Sequence, residues 1–513
     1  MQSVSRWASV LALAFRGGGG VALLLLPLCA AAQLDPNSPW PKWAHDNRNS
    51  GIGVKSQASG GTGGTVRWLY GDDPQEEPWR PGETVESGIV VGSDNLVFIP
   101  TNKSRVFCLN GATGTRRWVF DPDPYAGDQY RYVVGTPALV LRVFNQQEDS
   151  VGGDLDGPPV APYMVVFGCK DTVYAIRDVP GPTPTFEVLW QRQFPGFWLE
   201  QTCPAVTASG RMYFPLHSGN WQVPSRLAAV NSNGTVAWQL ELDQYWGLDH
   251  SNPALAAGGA LYLAARPWFS GTNGRLYKIR DLGTQGEIVW RYDPDFDPGN
   301  EDNWSKVFSS PCIGPDGTVY VGTKDYTGGP GNQSGTLWAV REDQYGQPYD
   351  YWHVAATATH YLGPVEGSPV VDPAGYVYVG TNANMQGGQD VQNGIFLKAS
   401  GPPGAAQTLF VVDDSVNQET PNTDATPCIA VNPQGSFLAL FQSEENGYLH
   451  KFDQNGNELW VPKLDIRRTD LISVAMMRDG TVLVGTRQVP VREGDPPPAQ
   501  RHGYVFAVWG FDQ

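Results

Sequence analysis

Acidic side chains recur in this sequence just ahead of short β-rich phrases. Glu86, Glu200, Asp249, Glu366, Asp424 and Asp470, together with His250 and Lys306, each stand a few residues before a run of small, apolar and β-branched residues. If those runs converge, their leading residues crowd one mouth as a carboxylate ring broken by a single Lys. Such a ring focuses negative potential and attracts a divalent cation, a basic segment or a polyamine. Trp79, Trp198, Trp246 and Trp304 lie in the same acidic stretches, where an exposed indole stacks on sugar rings or on cations. The ligand-binding set this points to is Glu86, Glu200, Asp249, His250, Glu366 and Asp424, with Trp79 and Trp246 beside them. Solvated acidic loops also serve simply to keep a protein soluble.

A second acidic signal is Asp293, Asp295 and Asp297, on alternate positions like the start of a calcium loop. Pro298 stands where an EF-hand needs Gly, and Trp304 where it needs the bidentate Glu, so only a looser calcium site survives. The seven histidines are scattered, with no H-E-x-x-H spacing, and neither G-x-S-x-G nor a Gly-rich phosphate loop is present. None of the usual enzyme signatures appears.

The elements that must position these residues are repeats. Ser310 opens SPCIGPDGTVYVGT, in which Asp316-Gly317 marks a tight hairpin between two strands. A Gly-rich gap follows, then a third strand at Thr336 to Val340 and a fourth at Tyr351 to Val354 carrying Trp352. The same phrase returns at Ser87, Thr136, Cys203, Asn252, Ser368, Thr426 and Ser473, giving eight units. Fourth-strand aromatics are Trp118, Trp190, Trp238, Trp290, Trp352, Phe410 and Trp460, a set read as packing between units. The eighth unit has none, whereas TVRWLY places Trp68 ahead of the first. An N-terminal strand over 66–70 therefore completes the last unit. The expected fold is all-β: an eight-bladed β-propeller of four-stranded antiparallel blades, closed by that strand.

The Tyr-Val-Gly-Thr, Gly-x-Leu-aromatic-Ala and Trp phrases resemble the pyrroloquinoline-quinone-like (PQQ-like) propeller repeat, and WPKWAHDNRNSG, from Trp40 to Gly51, is similar to that family's opening segment. The family includes quinoprotein dehydrogenases, an outer-membrane assembly scaffold, and sensor or adhesion modules that bind no quinone. The resemblance implies a propeller over nearly the whole chain. Quinoprotein dehydrogenases usually carry adjacent cysteines over the quinone, and some a C-x-x-C-H haem motif; neither is here.

Residues 1–32 read as a signal peptide, with Arg6 and Arg16 before an apolar run at Val21 to Leu28 and a small-residue cleavage site at Ala30 to Ala32. The run is too short to span a bilayer, so no transmembrane span is expected in the mature chain. Residues 33–86 form an N-terminal segment holding the 66–70 strand, 87–513 the PQQ-like repeats, and 33–513 a single propeller. The net charge of −17 argues against nucleic acid. Cys108, Cys169, Cys203, Cys312 and Cys428 sit at small-residue positions of the repeat and read as buried small hydrophobes.

Two functions fit. One is an exported, non-enzymatic binding or scaffold module whose acidic, aromatic top face engages a protein, glycan or cationic ligand, with no cofactor expected and calcium possible. The other is a PQQ- and calcium-dependent quinoprotein oxidoreductase acting on alcohols or sugars.

Overall fold

Short β-branched runs cut by Asp-Gly, Asn-Gly and Pro-Gly turns leave the chain little choice but antiparallel sheets, and the computed structural model shows them. It describes residues 33–50, 52–54, 65–71, 79–80, 82–122, 132–141, 163–199, 201–243, 246–248, 251–269, 271–295, 303–357, 361–392, 394–402, 404–412, 426–431, 437–442, 448–453, 455–457, 459, 464–465, 474–486 and 503–509. No α-helix occurs among them, and no helix there is long and apolar enough to cross a membrane. The architecture is a β-propeller of antiparallel sheets.

Pairing among the described residues falls into eight sheets. The first runs Val90–Val91, Leu96–Pro100, Val106–Asn110 and Arg116–Phe120 in sequence order. The 66–70 strand pairs with Val505–Trp509 and is the outer strand of the sheet that ends the chain, as expected. In the fifth unit the second and third strands, Val319–Thr327 and Gln333–Glu342, run through the Gly-rich stretch read as a gap. They stay extended because Asn303–Val307 pairs along one and a hairpin from the next unit, Asn384–Gln386 and Gln389–Gln392, adds to the other.

Trp68, Trp118, Trp190, Trp238, Trp290 and Trp352 pack between sheets, and a bulge aims them there. In seven sheets the residue just before the aromatic (Arg67, Arg117, Leu189, Ala237, Val289, Tyr351 and Leu409) is skipped in the pairing register. A bulge of this kind raises the local twist and re-aims the neighbouring side chain. The indole N–H groups then donate to the next unit: Trp118 to Asp178 at 2.6 Å, Trp190 to the Ser232 carbonyl at 2.9 Å, Trp238 to Asp281 at 2.8 Å, and Trp290 to Glu342. Trp68 likewise donates to the Gly111 carbonyl of the first unit at 2.9 Å. Gly114 is required beneath it, since a Cβ there would stand 2.7 Å from the Trp68 ring and φ is +75°. Among the described residues, apolar side chains buried at these seams gather in six clusters, five spanning two neighbouring sheets and one joining the last sheet to the first with Leu449 of the preceding sheet.

The inner strands are tied by a relay of side chains. In four units the residue before the repeat proline is held extended by that proline, and its N–H meets a side chain of the next unit. Cys203 N–H donates to Asn252 Oδ1 (2.6 Å), Asn252 to Ser310 Oγ (3.0 Å), Ser310 to Ser368 Oγ (2.9 Å) and Ser368 to Thr426 Oγ1 (3.1 Å).

The opening segment crosses these same inner strands, a role its sequence did not disclose. Trp40 bridges to Val91, and Leu139, Leu255, Ile313 and Val371 donate backbone N–H groups to Pro41, Asn47, Arg48 and Ser50. Asn47 pairs both ways with Val206, and Ile52–Val54 runs parallel to Ile429–Val431. Seven units are touched in succession. Ala44, His45 and Asn49 take left-handed φ values of 47°, 73° and 54° to make the path. Trp43 and Lys42 are buried; Lys42 Nζ donates to Asn49 Oδ1 at 2.7 Å, and burial holds its amine below the usual lysine range.

Cys108, Cys203 and Cys312 are free and buried and Cys169 is buried, in line with their reading as small hydrophobes. The backbone of Cys428 opens the Cys428–Val431 strand.

Candidate functional site

The connections into the third, fourth and fifth units share a device. Each doubles back to pair with the far end of its own unit's second strand: Phe197–Trp198 with His217 and Ser218, Trp246–Gly247 with Arg266 and Pro267, and Asn303–Val307 with Thr323 to Thr327. These second strands are long, at 7, 8 and 9 residues, and the surplus lifts a ledge on the face where the connections lie. Each ledge carries an aromatic with a cation over it. Arg226 lies 5.0 Å from the Phe197 ring, Arg275 lies 4.3 Å from Trp246, and Lys306 lies 4.9 Å from Trp304.

Between the third and fourth units the ledge is open to solvent. Trp198 and Trp221 are each 44% exposed, Trp268 37% and Phe269 46%. The His217 ring lies among them, stacked on Trp268 with centroids 5.4 Å apart and 6.0 Å from Trp198, while Trp221 meets Phe269 edge-on at 5.5 Å. His217 Nδ1 accepts the Leu248 N–H at 3.1 Å, so its neutral ring carries the proton on Nε2. A contiguous exposed apolar surface of this kind marks an interaction site more often than chance.

Between the fourth and sixth units the ledge is basic. Arg266 and Lys324 lie 5.3 and 5.8 Å from the Phe308 ring. Lys306 faces the stacked pair Trp304 and Tyr326, whose centroids are 3.8 Å apart. Burial, and then the charges of Arg266 and Lys324, hold the Lys306 amine below its usual range.

The residues anticipated from sequence divide three ways. Glu86 and Glu366 are present but engaged: Glu86 accepts from Thr84 (2.7 Å) and Asn102 (3.0 Å), and Glu366 pairs with Lys324 at 2.8 Å. Glu200, Asp249, His250, Asp424 and Asp470 lie outside the described residues. Trp79 and Trp304 are corrected from exposed to buried: Trp79 stacks on Phe107 at 5.5 Å within the seam of the last and first sheets, and Trp304 is covered by Tyr326. Trp246 is half-buried under Arg275, which Asp243 and Asp293 anchor at 2.7 and 2.6 Å. Asp293 is thus committed to an arginine, and Asp297 lies outside the described residues. Among the described residues no three His, Cys, Asp or Glu are grouped to hold a metal. Sequence reading missed His217, Trp221, Arg266, Trp268, Phe269 and Lys324. The available signal was bulky aromatics inside Gly-, Ser- and Pro-rich second-to-third-strand loops, SGNWQVPS and RPWFSG.

No protein-family model and no curated protein matches the chain. Solved structures do. A europium-containing methanol dehydrogenase aligns over 92% of this chain and 98% of its own with a TM-score of 0.57 at 12% identity. The quinohemoprotein alcohol dehydrogenase of Comamonas testosteroni aligns over 92% and 81% with a TM-score of 0.54 at 13% identity. The quinohemoprotein alcohol dehydrogenase ADHIIG of Pseudomonas putida HK5 aligns over 93% and 81% with a TM-score of 0.55 at 13% identity. The chain therefore has the propeller fold of the quinoprotein alcohol dehydrogenases.

Proposed function

We propose that the protein is an exported, non-enzymatic β-propeller that binds a ligand or partner through the face bearing its inter-unit connections. In this reading residues 1–32 are a leader, and residues 33–513 form one ring of eight blades closed by the 66–70 strand. The eight sheets support that ring, as does the buried cluster joining the last sheet to the first. The observation that carries the binding role is the exposed aromatic shelf of Trp198, Trp221, Trp268 and Phe269. Aromatic side chains left in water cost solvation and contribute nothing to the core, so their clustering is best accounted for by something that covers them.

The fold alone favours a quinone enzyme, and fold does not fix function. A quinone with its cation would need a slot on the axis and a carboxylate shell. Of the carboxylates that lead the inner strands, the described ones, Glu86 and Glu366, are already engaged. Trp43 fills the space beside Gly88 and Thr136, where a Cβ on Gly88 would stand 3.1 Å from its ring, and Lys42 and Asn49 are buried with it. The four described cysteines are dispersed. No step is derived through the quinone.

The experiment compares wild type with W198A/W221A/W268A on a set of neutral and charged oligosaccharides, alongside titration with pyrroloquinoline quinone and calcium. Loss of saccharide binding in the triple variant, with an unchanged melting curve, is the expected outcome. A stoichiometric quinone spectral shift with dye reduction by alcohols or aldoses would replace this reading with the oxidoreductase one.

A further inference from the structure

The basic ledge beside the aromatic shelf is out of character for a chain of net charge −17. Within it Lys324 pairs with Glu366 at 2.8 Å, and Arg266 and Lys324 both stand near Lys306. Lys306 makes no ion pair or hydrogen bond among the described residues; its neighbours are the Trp304 and Tyr326 rings at 4.9 and 5.6 Å. It is half-buried, so water compensates its charge only in part. Trp268 follows Arg266 by two residues, just past the end of the Ala260–Pro267 strand, so their Cα atoms are at most roughly 7 Å apart. That is the scale of one sugar ring with its substituent.

We propose that this ledge binds the anionic group of an acidic saccharide, with Lys306 and Arg266 meeting the carboxylate while a sugar ring lies on the shelf that starts at Trp268. The inference rests on the reading of this face as a ligand site. Its chemistry is complementary on both counts: an indole offers a flat apolar surface to the C–H face of a pyranose, and a carboxylate supplies the charge that Lys306 lacks. Charge-assisted hydrogen bonds to a partly desolvated ammonium are stronger than those at an open surface. The carboxylate also relieves the mutual repulsion of the three cations. The depressed Lys306 amine should therefore regain its proton on binding, and complex formation at alkaline pH should take up protons.

The test is calorimetric titration of the full mature chain with an oligogalacturonate and with its carboxyl-reduced, neutral counterpart, in buffers of different ionisation enthalpy. Wild type should bind the acidic oligomer more tightly, with proton uptake at alkaline pH and an affinity that falls as salt rises. K306Q should weaken the acidic oligomer about tenfold and abolish the proton uptake. It should leave the neutral oligomer unchanged, and K306R should restore affinity. Equal affinity of the two oligomers, both lost in W198A/W221A/W268A and untouched by K306Q, would remove the anion site while leaving the saccharide shelf. Failure of either oligomer to bind wild type would overturn the saccharide assignment altogether.

Discussion

Asp325 shows what a single buried charge does in this fold. It lies on the extended second strand of the fifth unit, fully enclosed, with Thr336 donating to Oδ2 at 2.6 Å and no ion pair among the described residues. Burial is the largest influence on its carboxyl and raises its pKa above the usual range; the Thr336 hydroxyl offsets only part of that. A carboxyl with a raised folded pKa holds its proton longer in the native state than in the unfolded chain. Stability therefore falls as pH rises from the ordinary value near 3.8 to the raised one, and the deficit persists above it. Each unit of such a shift corresponds to about 1.4 kcal/mol. D325N should then be more stable than wild type at neutral pH, and the difference should shrink toward zero below about pH 4. Denaturant titrations at both pH values measure this, and a gain independent of pH would rule the explanation out. At this scale the sequence was partly legible. Lys306 stood out as the one cation in an acidic series, but its companions are Arg266, near the end of one unit's second strand, and Lys324, inside the next unit's second strand, and their convergence follows from how the sheets are placed and not from spacing.

The aromatic that ends each unit was legible as an element, while the bulge that aims it was not. The skipped residues range from Arg67 and Arg117 to Ala237 and Tyr351, so no residue type announces them. The bulge is imposed by the neighbouring sheet, which needs the indole at its turn. Trp68 is the informative member, because it performs between the last and first sheets what Trp118 performs between the first and second. Both rings are largely buried, at 9% and 6% exposure. If the ring is closed, W68A and W118A should cost comparable amounts, about 3–5 kcal/mol each for a buried Trp replaced by Ala. Urea midpoints with unchanged slopes would report this. A W68A cost under about 1 kcal/mol would mean that the seam between last and first sheets is only loosely held, whatever its backbone pairing. Removing residues 33–70 should be worse than either, since it bares the Val505–Trp509 edge to intermolecular pairing as well.

At the scale of the whole molecule, a repeat array and a ring differ in how they come apart. A linear array of repeats gains stability from nearest neighbours only and opens from its ends. Here the opening segment adds contacts that nearest-neighbour repeats lack, because residues 40–54 hydrogen-bond to the inner strands of seven units in turn. The relay from Cys203 to Thr426 couples five of those strands a second time. Neither device was readable in advance. The segment resembled a family opening without disclosing its path, and the residues before the repeat prolines opened the first-strand phrases without announcing that they accept from the preceding unit. N47A should therefore have an effect beyond its site. It leaves the Val206 N–H and carbonyl without their side-chain partner, at about 1–3 kcal/mol for buried groups so stranded. It should also lower the midpoint of one cooperative transition rather than release the third unit alone. Differential scanning calorimetry on the mature chain and on N47A decides between the two: a single endotherm displaced to lower temperature is the expected trace, with calorimetric and van't Hoff enthalpies in agreement. A new low-temperature shoulder with the main transition unmoved would show instead that the units unfold as an array and that the axial segment holds only its immediate neighbours.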